Sequence, residues 1–121
     1  MSHPDLAFKI ISRADWQQLV AEGRYEGSPV DLADGYIHLS AQDQLAGTAA
    51  KHFAGLSDLM LVEVNLQVLG DDLVWEESRG GALFPHIYGP LPLSATGSAR
   101  PLSVTAEGEM ILGDAAPALS E

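Results

Sequence analysis

The order of elements along the chain predicts an α+β fold. Three observations carry it. Helical periodicity is confined to the first half, at Trp16–Val20 and Gln42–Ala54. Runs of β-formers gather in the second half, and nowhere do strand and helix alternate regularly, as a doubly wound parallel sheet would require. With 121 residues the chain is expected to form one domain, since hydrophobic cores divide only beyond about 250 residues. No repeat or linker interrupts it, so residues 1–121 are taken as one unit, with a core over about 8–112 and a flexible tail over 113–121.

Each element has its own signal. Phe8-Lys9-Ile10-Ile11 reads as the first strand. Ser12 follows as an N-cap with Asp15 at the third helical position, a near capping box. Trp16, Leu19 and Val20, spaced i, i+3 and i+4, give a short helix with one apolar face, ended by Gly23. Tyr25 to Gly35, rich in Gly, Ser, Pro and acids, reads as a loop closing in an Asp34-Gly35 turn. Tyr36 to Ser40 is a strand, with Tyr36, His38 and Ser40 on one face and Ile37 and Leu39 on the other. Ser40 is placed as the cap of a helix over Gln42–Ala54, whose stripe is Leu45, Ala46, Ala49 and Phe53; His52 lies near that stripe and reads as a packing residue. Leu59 to Val64 is apolar enough for a central strand. Leu73–Glu76 and Pro85–Gly89 read as further strands, and Leu102–Leu112 as a hairpin turning at Glu107-Gly108.

Composition excludes several functions. The chain has no cysteine, which removes disulfides, thiolate metal sites and cysteine nucleophiles. Six basic residues oppose seventeen acidic ones, a net charge of −11. A duplex nucleic-acid partner needs a positive footprint, and none is present. A small anion is still compatible, because one arginine and a few backbone N–H groups suffice to hold a phosphate. The amino terminus lacks the basic and apolar regions of a signal peptide, and no apolar run approaches the roughly 18 residues that span a bilayer. The expected location is the cytoplasm.

Chemistry concentrates in two stretches. In Asp34-Gly-Tyr-Ile-His-Leu-Ser40, one strand face carries an imidazole and a hydroxyl. Both need partners if buried, so this face either lines a cleft or meets solvent as an ordinary half-exposed strand. In Glu77 to Pro90, "ESRGGALFPHIYGP", Arg79 is an isolated cation whose fork suits phosphate or carboxylate. Gly80 and Gly81 permit close approach of backbone to a ligand, and His86 and Tyr88 share a face. The alternative here is a Gly-Pro-rich loop with Arg79 paired to Glu76 or Glu77. No phosphate-loop fingerprint surrounds Gly80-Gly81 and no nucleophile elbow surrounds Ser40. A metal triad of His38, His86 and Glu76 has no supporting ligand spacing, and no metal is assigned.

The segments "DGYIHLS", "AGTAAKHFAG" and "VWEESRGGALFPHIYGPLPL" resemble, in this order, those of the bacterial proteins called domain of unknown function family 952, over about Phe8 to Leu112. The resemblance implies a fold similar to that of ADP-ribosyltransferases, a split and bent sheet around a dinucleotide cleft. In that superfamily an early strand supplies a histidine, often followed two residues on by Ser or Thr, that contacts the nicotinamide ribose; His38 and Ser40 match this element. A later aromatic packs on the nicotinamide, a place Tyr88 would take. A glutamate stabilises the ribosyl transition state, although Glu76 and Glu77 precede Tyr88 whereas the transferases place theirs after it.

Two readings follow. In the first, the protein is an enzyme cleaving or transferring the glycosidic bond of NAD or of an ADP-ribosylated small molecule. His38, Glu76 and His86 would be its catalytic residues, and Ser40, Arg79, Gly80, Gly81 and Tyr88 would bind the ligand. In the second, it is a non-catalytic module that binds a nucleotide or small anion. NAD enters as a candidate substrate, and no cofactor is assigned.

Overall fold

The computed structural model describes residues 5–77 and 81–113. It is a mixed α+β structure whose strands all pair antiparallel. Strand β1 (Leu6–Ser12) leads into helix α1 (Arg13–Glu22). Ser12 accepts a hydrogen bond from the Asp15 amide, and Gly23 ends the helix in the left-handed region, as the sequence pattern requires. Strand β4 (Leu59–Asn65) lies between β1 and β8 (Thr96–Val104), and β9 (Met110–Leu112) completes this four-stranded sheet.

Alternation along β4 shows why it reads as a continuous apolar run. Met60, Val62 and Val64 pack on one face with Trp16 and Leu19 of α1. Leu59 and Leu61 pack on the other with Leu45 and Ala49 of helix α3 (Leu45–His52). A strand covered on both sides has no polar face to show. The expected hairpin turn is present, and Gly108 makes it possible. Its φ is +91°, and a Cβ there would stand 2.8 Å from the Cβ of Ala50 in α3.

The remaining strands form two smaller sheets. Strand β3 (Ile37–His38) and β5 (Leu73–Glu77) flank β6 (Leu83–Ile87), while β2 (Arg24–Tyr25) pairs with β7 (Leu91–Pro92). Reciprocal backbone hydrogen bonds between Phe8 and Ser40, 2.8 and 2.9 Å, tie the end of β3 to β1.

The structure corrects three local expectations. The segment read as a loop contains helix α2 (Pro29–Asp34), started by a full capping box between Ser28 and Asp31 and by Pro29 in its first turn. Ser40 does not cap the following helix: its bonds to Phe8 hold it extended, and its hydroxyl pairs with Thr48 at 2.8 Å. The helix expected over Gln42–Ala54 is a 3₁₀ turn at Gln42–Gln44 followed by the shorter α3. Here the Gln44 side chain accepts from the Ala41 amide. Among the described residues, no helix is long and apolar enough to cross a membrane. Of the expected flexible tail, all but Gly113 lies outside the described residues.

Candidate functional site

The site grows from the register of one strand pair. β3 and β6 place His38 directly opposite His86, so in an antiparallel pair both side chains leave the same face. Their rings stand edge to face with centroids 5.4 Å apart. Tyr36, two residues before His38, shares that face. It stacks on His86 at 4.1 Å and lies 5.2 Å from Tyr88. The two stretches singled out in the sequence therefore meet.

Each histidine has its own carboxylate. Asp31 Oδ1 lies 2.6 Å from His38 Nδ1 and also accepts from the His38 backbone N–H at 3.1 Å. Its Oδ2 accepts from Lys9 Nζ at 3.0 Å and from the Ser28 amide at 2.9 Å. Asp34 Oδ2 approaches the other ring nitrogen of His38 at 3.0 Å. Glu76 Oε1 lies 2.7 Å from His86 Nδ1, and the Tyr88 hydroxyl donates to both oxygens of Glu76, at 2.8 and 3.0 Å.

Lys9 explains why Asp31 is there. Alternation turns Lys9 to the same side of β1 as Ala7 and Ile11, into the α1-side core. A buried ammonium needs a counterion. Burial pushes Lys9 below the usual lysine range while Asp31 works in the opposite direction. For Asp31 itself, burial favours the neutral acid, but the hydrogen bond with His38 and the charge of Lys9 outweigh it. The carboxyl is held well below the usual carboxylate range. Gly27 completes this packing, since a Cβ there would meet the Asp31 Cβ at 2.8 Å.

The exposed pair behaves differently. Hydrogen bonds with His86 first, then Tyr88, lower the Glu76 carboxyl. The same bond raises the Tyr88 hydroxyl. The Tyr36 hydroxyl is raised by desolvation and by the charges of Asp34 and Glu76.

Beside this cluster, along the edge of β1 that does not pair with β4, lies a cavity of about 680 Å³. Tyr36, His38, Ser40 and His86 are in its wall together with apolar side chains such as Phe8 and Phe53. His52, expected to pack inward, is exposed at the end of α3 and borders the cavity. Glu76 and Tyr88 do not line it; they stand beyond His86, where Tyr88 is 45% exposed. Of the two candidate glutamates, Glu76 bonds to His86, and Glu77 is exposed. Gly81 adopts φ +80° and is not in the cavity wall. Arg79 and Gly80 lie outside the described residues. Among the described residues, no three His, Cys, Asp or Glu side chains gather to hold a metal ion.

Sequence reasoning missed Asp31, Asp34, Lys9 and Tyr36. Signals existed for two of them: Ser28-Pro-Val-Asp31 is a helix-start pattern, and Lys9 is a charge within an otherwise apolar strand.

An antiparallel α+β protein with paired histidines facing a cavity is the class that fold and site define. Within it, the chain belongs to the family described as Protein of unknown function (DUF952), which matches residues 10–99. It is similar to protein CC0527 from Caulobacter crescentus. The crystal structure of that protein shares 52% identity with a TM-score of 0.82, covering 88% of this chain and 93% of that one. Its solution NMR structure shares 52% identity with a TM-score of 0.75, covering 87% and 90%. No curated protein matches the chain significantly.

Proposed function

We propose that the protein is an ADP-ribosyltransferase-like enzyme that breaks or transfers the N-glycosidic bond of NAD or of an ADP-ribosylated small molecule. One observation carries the reading: His38 and His86 face each other at the wall of one cavity, each with its Nδ1 held by a carboxylate. The split between the four- and three-stranded sheets, bridged at Phe8 and Ser40, supports an ADP-ribosylation-like fold.

In this reading the bond between the ribosyl C1′ and the base nitrogen breaks, and its electron pair leaves with the base. The oxocarbenium-like ribosyl carbon is then attacked by water or an acceptor hydroxyl, which loses its proton to the site. His38, fixed by Asp31 at Nδ1, holds a ribose hydroxyl at Nε2 in place of Asp34. Ser40, anchored to Thr48, supports that edge. Tyr36 packs on the base, with Tyr88 beside it. Glu76 acts through His86, keeping Nδ1 engaged so that Nε2 is the ring atom offered to the substrate. Its negative charge also favours a cationic transition state over a neutral ground state. Arg79, with Gly80 and Gly81, is assigned to the pyrophosphate from the sequence pattern.

The test is incubation with NAD. Nicotinamide should accumulate, and Glu76→Gln should slow its release while binding persists. A second reading, a non-catalytic nucleotide or small-anion module, draws on the carboxylates that occupy both nitrogens of His38. Calorimetric binding of NAD with no nicotinamide released would favour it.

A further inference from the structure

Strand β1 carries an open edge inside the molecule. Phe8 uses both its N–H and its C=O on Ser40, so these groups point away from β4. In an antiparallel pair that direction repeats at every second residue. The ends of the ladder agree. Leu66 donates to the Asp5 carbonyl and Arg13 to that of Asp58, which leaves the odd residues of β1 bonded to β4 and the even ones turned outward. Ile10 therefore presents its N–H and C=O to the unpaired side. Continued in register from Phe8 and Ser40, β3 would set His38 opposite Ile10. Instead the His38 N–H bonds to Asp31 Oδ1 at 3.1 Å, and the two strands part. Among the described residues, neither backbone group of Ile10 has a partner. The cavity of about 680 Å³ lies in that parting. Its wall takes every residue from Phe8 to Ser12 although their side chains alternate between two faces, so the backbone edge itself lines it. Ile10 is 6% exposed, and an unpaired peptide group buried to that extent is costly.

We propose that this edge binds an extended peptide segment of another protein, one that alternates apolar and basic residues, by adding it as a strand beside β1. In strand addition the main-chain bonds supply affinity and the alternate side chains select the partner. The peptide residue opposite Ile10 exchanges both hydrogen bonds with it. Its side chain turns to the Ile10 face, where Phe53 and Leu59 are apolar neighbours. The residues on either side of it turn to the face of Lys9 and Ile11. Asp15 and Asp31 stand there in the cavity wall, with Asp34 about half exposed at the rim. Lys9 is the one lysine or arginine in that wall among the described residues, and it is already paired with Asp31 at 3.0 Å. Basic side chains of the peptide thus meet carboxylates in excess, whereas acidic ones meet repulsion. The net charge of −11 draws a basic segment in from longer range.

Peptide addition and NAD cleavage are separate properties of the cavity. Nicotinamide release without peptide binding would remove strand addition and leave the glycosidic reading; peptide binding without release would do the opposite. Amide hydrogen exchange on the full chain, followed by NMR, reads the edge directly. In the free protein the Ile10 amide should exchange about tenfold faster than those of Lys9 and Ile11, which bond to β4. A saturating blocked peptide that alternates valine and lysine should slow it to their level. The same peptide N-methylated at its valines keeps its side chains but loses the N–H that meets the Ile10 carbonyl. By calorimetry it should bind about tenfold more weakly, and a peptide alternating valine and glutamate should bind more weakly than the lysine peptide. Equal affinity of the N-methylated or the glutamate peptide would overturn the proposal. So would failure of the lysine peptide to bind at millimolar concentration, or an Ile10 amide as slow as its neighbours before any peptide is added.

Discussion

The two histidine–carboxylate pairs are built inside out with respect to each other. In one, the carboxylate is buried and the histidine is open: the side chains of Asp31 and His38 are 2% and 35% exposed. In the other the order is reversed, with His86 at 4% and Glu76 at 36%. Asp31 is therefore part of the core, tied to Lys9, Ser28 and His38 at once, and its chemistry cannot be separated from folding. Glu76 sits at the surface with His86 and Tyr88, where its charge can be altered while the core stays intact. The same pair of residue types thus serves as a structural hub on one strand and as an adjustable charge on the other.

Removing the buried carboxylate is expected to have the largest effect. Asp31→Ala leaves Lys9 buried without its counterion, and breaking such a pair typically costs about 3–5 kcal/mol. Urea unfolding should show a loss of that size. The double variant Lys9→Met, Asp31→Leu should recover part of it, because an apolar pair removes the unpaired charge. If the double variant is no more stable than the single one, Asp31 acts chiefly through Ser28 and His38 instead.

Acid should act on the same hub. The folded Asp31 carboxyl titrates below its unfolded value, so below about pH 4 the unfolded chain binds the extra proton. Its contribution to stability is present above that pH and is lost as pH falls toward the folded value. Unfolding midpoints measured downward from pH 5 should fall more steeply in the wild type than in the Lys9→Met, Asp31→Leu variant. Parallel curves would show that Asp31 is not the group being protonated.

On the exposed pair, Glu76→Gln should leave the thermal midpoint nearly unchanged. Within the proposed reaction it should reduce nicotinamide release on the order of 10²-fold, the usual worth of an oriented electrostatic group. A large drop in stability instead would make Glu76 a second structural hub and erase the contrast. A smaller effect is expected at Ser28→Ala, which removes the cap of α2: about 1 kcal/mol, read by thermal melting.

Much of this arrangement was legible in the sequence where a local rule had no competitor. The Ser12 cap, the apolar run of β4 and the turn at Glu107-Gly108 all stand where the pattern put them. His38 and His86 were singled out in two separate stretches, and only the pairing of β3 with β6 brings them together. Asp31 was lost because Gly, Pro and acidic residues suggest a loop, and a six-residue helix offers too little periodicity to compete. Ser40 was misassigned because a serine before a helix resembles a cap, whereas a long-range bridge to Phe8 decides its conformation. Tyr36 was placed on the right face, but no local pattern announces its stacking on a histidine across the sheet.

The central claim is that the histidines of the two inverted pairs wall a single ligand cavity. Backbone and imidazole NMR shifts of the isotopically labelled chain, titrated with NAD, test it most directly. The account predicts that perturbations centre on Tyr36, His38, Ser40 and His86, with smaller ones at Glu76 and Tyr88, while β9 remains unchanged. Perturbations centred elsewhere, or reaching only one of the two histidines, would contradict it.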